Sequence, residues 1–288
     1  MITFDSIPNF NPLLNFPKKI HQTYSNSVDL PKELQQNIYN IQLINPDWHY
    51  QLYSDSDIKS IIFKYYGPSM LNIYLMINDS YGAAKADFFR YLLLYAEGGV
   101  YIDIKSTTTK PLTSCIKNDD QFLLSHWNNE KEITIHKEFV SFPNLLNCGE
   151  YIQWCIISQR GHKYLKYVIW GVIQNIYNYN ILKDNIGRSG VVRLTGPIIY
   201  SVEIEKRLSM YNHRKCSVSN DLGIVYSLYE YSKLSHEKIF TRKHYSQLIS
   251  PIVKPNKFID YLRMIIYYTY NSPKFLKKKI KSFSRNCF

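Results

Sequence analysis

A chain of 288 residues with 45% hydrophobic content can fill one large core, and the absence of any window of eighteen apolar residues argues against a membrane-spanning helix. The N-terminus lacks a basic region followed by an apolar run, so no signal peptide is expected, and five cysteines without CxxC spacing suggest neither a disulfide framework nor a zinc site but a reducing, cytoplasmic compartment. The net charge of +12 suggests nucleic acid only until it is located: residues 263–288 carry seven basic residues and no acidic one, which leaves +5 for the preceding 262.

In chain order, residues 1–16 form an irregular lead-in with Pro8 and Pro12, and residues 18–24, KKIHQTY, are predicted as a first strand. Apolar spacing predicts a helix over 31–45, and Asn45-Pro46-Asp47 a turn. Residues 48–53 alternate as a second strand. Ser54 to Asp57 start a helix over 58–66 that Gly67-Pro68 should end, and a further helix covers 69–77.

The stretch from Ala83 to Ser106, AAKADFFRYLLLYAEGGVYIDIKS, organises the rest. Its first part lacks glycine and proline and is rich in alanine and leucine, with Gly98 where a positive-φ C-terminal cap is expected. Asp87 and Arg90, three apart, are neighbours on a face that Tyr91 and Leu94 make partly apolar, so each charge needs a partner. After Gly98-Gly99, residues 100–104 alternate as a β-branched strand, with Tyr101, Asp103 and Lys105 on one side and Val100, Ile102 and Ile104 on the other. A strand that delivers a carboxylate at its C-terminal end is how α/β proteins build ligand sites.

Further on, residues 121–127 and 133–136 are predicted as strands and 144–150 as a loop. A helix is predicted over 164–177, with His162 capping or packing at its start. Thr195-Gly196-Pro197 should begin another that reaches about residue 208, with the threonine suited to its N-terminus. Residues 222–229 suggest a late strand. The β-α-β-α-α-β order with short connections predicts a mostly parallel, doubly wound sheet flanked by helices in a single α/β domain.

Four ordered motifs carry a family resemblance: Lys19-Ile20-His21-Gln22-Thr23-Tyr24; Asn45-Pro46-Asp47-Trp48 leading to Tyr53-Ser54-Asp55; Ala86-Asp87 with Arg90; and Gly98-Gly99-Val100-Tyr101-Ile102-Asp103. Together they resemble the family 32 glycosyltransferases, a group akin to the large bacterial toxin glucosyltransferases. The resemblance is dense over residues 17–127 and thin beyond, through Asn147, Gly161-His162 and Thr195-Gly196-Pro197. It implies a GT-A fold, with 17–127 as donor-binding half, 128–260 as acceptor half and 261–288 as a basic tail. It also implies transfer from a nucleotide-diphosphate sugar to a glycan or polysaccharide with retention of configuration.

Such chemistry needs the diphosphate charge neutralised, usually by Mg²⁺ or Mn²⁺ on one or two carboxylates. By resemblance Asp103 is the metal-binding carboxylate and Asp87 binds ribose or sugar hydroxyls. Arg90 faces donor sugar or phosphate, Tyr101 lines the donor pocket beside Gly99, and His21, Gln22 and Tyr24 lie near the base. His244 stands where the family has a late metal contact.

One departure matters: the family's second aspartate, two residues after Asp103, is here Lys105, whose ammonium has no lone pair for a metal. Three readings stay open: Lys105 faces the diphosphate as a fixed cation, Asp103 alone holds the metal, or donor binding persists without catalysis. His21 reads equally as a hydrogen-bonded strand histidine. Trp48, Trp154 and Trp170 read as core, and Trp127 also as an acceptor-site candidate.

The tail offers Leu276, Ile280 and Phe283 at helical spacing among six basic residues, after a predicted break at Pro273. It reads either as a basic amphipathic helix on an anionic membrane surface or as a solvated end. A nucleic-acid-binding protein is the rival from another class, but it leaves the four motifs unexplained and no nucleic-acid partner is expected.

Overall fold

In a computed structural model, described for residues 2–25, 30–127, 149–227 and 245–285 (the last thirteen as backbone), the chain forms a mixed α/β domain. Its first half alternates β1 (Lys19–Thr23), α1 (Lys32–Ile44), β2 (His49–Tyr53), α2 (Asp55–Met76), α3 (Gly82–Glu97) and β3 (Gly99–Ile102). Then come β4 (Thr107–Thr108), β5 (Phe122–Leu124), β6 (Cys155–Ser158), α4 (Lys163–Tyr177), α5 (Ile181–Asp184), α6 (Gly187–Leu194), α7 (Pro197–Glu205), β7 (Arg214–Lys215), β8 (Ile224–Val225) and α8 (Phe258–Arg285).

The described strands form a six-stranded sheet in the order β2-β1-β3-β6-β5-β7, with β4 and β8 paired separately. β1 runs parallel to both β2 and β3, in register Ile20↔Val100 and His21↔Tyr101. β6 is antiparallel to β3 and β5, and β7 is parallel to β5, so only β6 among these strands runs against the rest. The helical crossovers α1 and α2–α3 allow the parallel pairs around β1.

Helix α3 sits in the middle of the larger core. Phe88, Phe89, Tyr91, Leu92, Leu93 and Leu94 are all fully buried, so the helix is apolar on nearly every side, as a helix enclosed by others must be. Each such side chain contributes about 1.5–3 kcal/mol by leaving water. Across the sheet, Val100 and Ile102 join a second cluster with Ile20, Trp48 and Ile157, while Tyr101 points back to the α3 side. The alternation expected of β3 is therefore what splits the two cores.

Several boundaries have identifiable causes. Ser54 and Asp57 make a capping box at the start of α2, with Ser54 N–H donating to Asp57 Oδ2 at 2.9 Å. The two helices expected over 58–77 are one kinked element, bent at Gly67 (φ 74°, ψ −176°) before Pro68. Gly98 closes α3 with φ 70°, its N–H donating to the Leu94 carbonyl at 2.8 Å. Among the described helices none is long and apolar enough to cross a membrane.

Three further expectations are corrected. Thr195 does not cap α7, whose N-cap is Gly196; its hydroxyl is committed elsewhere. That helix stops at Glu205, before a run of turns, rather than near residue 208. Strand β6 and helix α6 were not anticipated. The helix through residue 273 is continuous, so Pro273 does not separate two segments. The strand expected over 133–136 and most of the loop expected over 144–150 lie outside the described residues.

Candidate active site

A cavity of about 950 Å³ opens where β1 and β3 end, lined from the first half by Thr23, Tyr24, Asp87, Arg90, Tyr101, Asp103 and Lys105. Its other walls come from later in the chain, including Trp127, Gln153, Trp154, Arg188, Tyr226 and Tyr245. The C-terminal edge of parallel strands is the usual place for such a site.

Arg90 is its structural centre. Nη2 lies 3.0 Å from Asp103 Oδ1 and 3.2 Å from Asp87 Oδ1, Nη1 donates to the Gln153 carbonyl at 2.7 Å, and the guanidinium stacks over the Tyr101 ring, 4.6 Å from its centroid. Burial alone would lower the Arg90 pKa, but Tyr101, Asp103 and Asp87 outweigh it and raise it, so the guanidinium stays charged. The planar fork lets one side chain hold two carboxylates and a carbonyl together.

Asp87 is buried and fully engaged. Besides Arg90 it accepts from Gln153 Nε2 at 3.0 Å and from Thr195 Oγ1 at 3.1 Å. Burial raises its pKa against the lowering by Arg90 and Gln153. Asp103 is the more open carboxylate, its side chain 28% exposed against 10% for Asp87. Tyr101 shares a 2.9 Å hydrogen bond with Thr23 Oγ1, and burial pushes its phenol up to about 12.

Lys105 reaches the same cavity. Its Nζ donates to the Tyr226 hydroxyl at 3.0 Å and sits over that ring, 4.1 Å from the centroid. Tyr226 also packs against Trp154 and Trp127, so the lysine is held by an aromatic wall. Trp154 lines the cavity, and its Nε1, itself buried, has no hydrogen-bond partner among the described residues.

Not every expected residue faces the cavity. His21 is buried with its ring between the Tyr53 hydroxyl at 2.9 Å and the Gly98 carbonyl at 3.0 Å, and burial lowers its pKa to about 4. It is the hydrogen-bonded strand histidine of the two readings. Gln22 is also internal: Nε2 donates to the Asp103 carbonyl at 3.0 Å and its Oε1 accepts from the Tyr50 hydroxyl, which fixes the backbone that presents Asp103. Gly99 (φ 104°) is needed for strand packing, because a Cβ there would stand 2.6 Å from the Lys19 carbonyl oxygen. Neither Gly99 nor Gly98 lines the cavity, so the glycine pair brings strands together and not backbone to ligand.

The described residues contain no cluster of three or more His, Cys, Asp or Glu side chains, and His244 lies outside them. Asp103 Oδ1 is paired with Arg90, and Oδ2 has no partner among the described residues. A magnesium-like ion bound mainly through a diphosphate needs only one or two protein carboxylates. The arrangement fits an ion anchored by Asp103 and completed by phosphate oxygens and water, and it does not fit a closed protein cage.

Gln153 and Thr195 were missed as site residues. Gln153 carries a double role, through its amide to Asp87 and its carbonyl to Arg90, yet lies 63 positions from Arg90 in sequence. The available signal was the four-residue apolar run 154–157, a short strand signal with Gln153 as the polar residue just before it. Trp154, read as core, is also cavity wall.

Residues 31–123 match a family model described as "Glycosyltransferase sugar-binding region containing DXD motif". Over 204 residues the chain is 28% identical to an initiation-specific alpha-1,6-mannosyltransferase of Candida albicans, covering 65% of this chain and 51% of that one. An uncharacterized glycosyltransferase of Acanthamoeba polyphaga mimivirus is 27% identical over 217 residues, 74% of this chain and 72% of its own. A shorter match, 35% over 88 residues, is to a mannosyl phosphorylinositol ceramide synthase of Saccharomyces cerevisiae, covering 31% of this chain and 22% of that one. The chain spans about half the length of the Candida albicans mannosyltransferase. The solved UDP-bound glycosyltransferase domain of the YGT toxin shares the fold, with a TM-score of 0.50 at 9% identity, covering 78% of this chain and 83% of that one.

Proposed function

We propose that this chain, whose residues 31–123 carry a glycosyltransferase sugar-binding region, moves a sugar from a nucleotide-diphosphate donor to a glycan or polysaccharide acceptor. The observation that carries the reading is Asp103, set at the C-terminal edge of β3 in a 950 Å³ cavity and tied through Arg90 to Asp87. The donor class is taken from the resemblance, and a solved glycosyltransferase domain of the same fold is bound to UDP.

The chain's own residues have the following parts. Gln22 and Arg90 fix Asp103 from behind, by its carbonyl and its carboxylate, so that Oδ2 is presented at a set position. A divalent ion, Mn²⁺ or Mg²⁺, anchored there would neutralise the leaving diphosphate. Lys105, steadied by Tyr226, adds a fixed positive charge on the same strand extension, two residues on. Asp87, already saturated by Arg90, Gln153 and Thr195, accepts from donor hydroxyls only through spare lone pairs and otherwise positions Arg90. Trp127 in the cavity wall suits the acceptor side, with residues 17–127 as donor half and 128–260 as acceptor half. Retention of configuration follows from the family resemblance.

Lys105 also favours a second reading, donor binding without turnover. The two part on one experiment: a thermal-shift panel of UDP- and GDP-sugars with and without Mn²⁺, followed by donor hydrolysis. A ligand at a hundred times its Kd stabilises the fold by about 2.7 kcal/mol. A shift with turnover supports transfer, a shift without turnover the second reading, and no shift with any nucleotide sugar removes both.

A further inference from the structure

Helix α8 is mounted with its apolar side outward. Its inner side is held by tyrosine hydroxyls: Tyr267 donates to Asn185 Oδ1 and Tyr268 to the Ile249 carbonyl, each at 2.7 Å. Away from the body, Phe258 is 78% exposed, Ile265 63%, Ile266 56% and Leu262 38%. At 100° per residue these four fall within about 100° of arc, a single stripe. A helix that merely covers a globular domain turns such a stripe to the core; here Tyr267 and Tyr268 go in and the aliphatic stripe goes out.

Charge follows the same helix. Asp260 is the last acid of the chain, and Lys274, Lys277, Lys278, Lys279, Lys281 and Arg285 lie beyond it while the backbone stays helical to Arg285. The sequence repeats the apolar spacing at Leu276, Ile280 and Phe283. An outward apolar stripe joined to a run of basic residues without acids matches the requirements of an interfacial helix on anionic lipid.

We propose that α8 docks this protein on an anionic phospholipid surface, its stripe at the acyl boundary and its basic run among the headgroups. A nucleic acid would use the charge and leave the stripe in water; a second copy would bury the stripe and oppose one basic run to another. A lipid surface takes both features. The helix does not cross the bilayer, since no described helix is long and apolar enough. It is mounted through Ile249, beside Tyr245–Gln247 in the cavity wall, so docking would hold that wall near the membrane.

The test needs no turnover and stands apart from the donor reading. The full chain is floated with vesicles of phosphatidylcholine alone and of phosphatidylcholine with phosphatidylserine. Binding to the anionic vesicles is expected to be about tenfold stronger or more, and to weaken as salt is raised. The exposed-site variant Leu262→Asp/Ile265→Asp/Ile266→Asp should lose it while melting as the parent does. Lys277→Gln/Lys278→Gln/Lys279→Gln, which leaves the stripe intact, should lose the salt-dependent part. Equal binding to both vesicles, full binding by the triple aspartate variant, or a dimer abolished by that variant with no vesicle binding would each overturn the proposal.

Discussion

Arg90 Nη2 stands 3.0 Å from Asp103 Oδ1, a contact between the buried helix α3 and the edge of β3 that also takes in Asp87 at 3.2 Å. One guanidinium thus holds the carboxylate that faces the cavity and the carboxylate buried behind it. Arg90→Ala would leave Asp87 buried without its cation, and the expected loss is about 3–5 kcal/mol in urea unfolding. Arg90→Lys keeps a charge but not the fork, so it should recover only part of that stability. Wild-type stability for the alanine variant would mean that the bridge holds nothing.

Lys105 occupies the place of a second carboxylate. Lys105→Asp should therefore lower the Mn²⁺ concentration for half-maximal donor hydrolysis, by about tenfold or more, because affinity for hard cations tracks the number of charged oxygen ligands. Lys105→Ala should lower turnover without that gain. A metal titration that is identical for parent and Lys105→Asp would remove Asp103 as the anchor.

Gly67 and Gly98 separate backbone strain from crowding. Their dihedrals are nearly the same, 74° and −176° against 70° and −171°, but a Cβ at Gly67 meets nothing within 4 Å, while at Gly98 it would stand 2.6 Å from both Arg160 N and Pro17 Cγ. Both alanine variants should lose about 1–3 kcal/mol from strain, and Gly98→Ala a further 1–3 kcal/mol or so from the clash. Chemical denaturation of the pair measures the difference directly.

Acid should unfold the protein through its buried histidines. Burial lowers His21 and His162 to about 4 from an ordinary 6.5. The unfolded chain therefore takes up these protons below about pH 6.5 and the folded chain only below about 4, so stability falls as pH drops through that window. His21 alone accounts for about 3 kcal/mol of that loss. Unfolding free energies at pH 7 and pH 5 should differ for the parent and differ less for His21→Gln; an equal pH slope in both would contradict the assignment.

The organising helix–glycine–strand unit was legible because each part has a local signal: an apolar run without breakers, a glycine pair, and β-branched alternation. That Asp87 and Arg90 need partners also followed from their apolar neighbours. Their partners did not, since Gln153 and Thr195 come from segments 66 and 108 residues beyond Asp87. Thr195 illustrates the limit: beside Gly196-Pro197 it suits a helix cap locally, and only the packing of α6, which it ends, against α3 directs its hydroxyl to Asp87. His21 and the glycine pair erred the other way. Their motif suggests ligand contact, whereas the close pairing of β1 with β3 uses them to seat the strands.

The central claim is that Asp103 anchors a nucleotide-sugar reaction in this cavity, and nucleotide release from UDP- and GDP-sugars by the parent and by Asp103→Asn tests it most directly. The substitution removes the charge while keeping the shape beside Arg90. The account predicts metal-stimulated release by the parent and a drop of about a hundredfold or more in the variant, both assayed below their melting transitions. Equal release by the two proteins would contradict it.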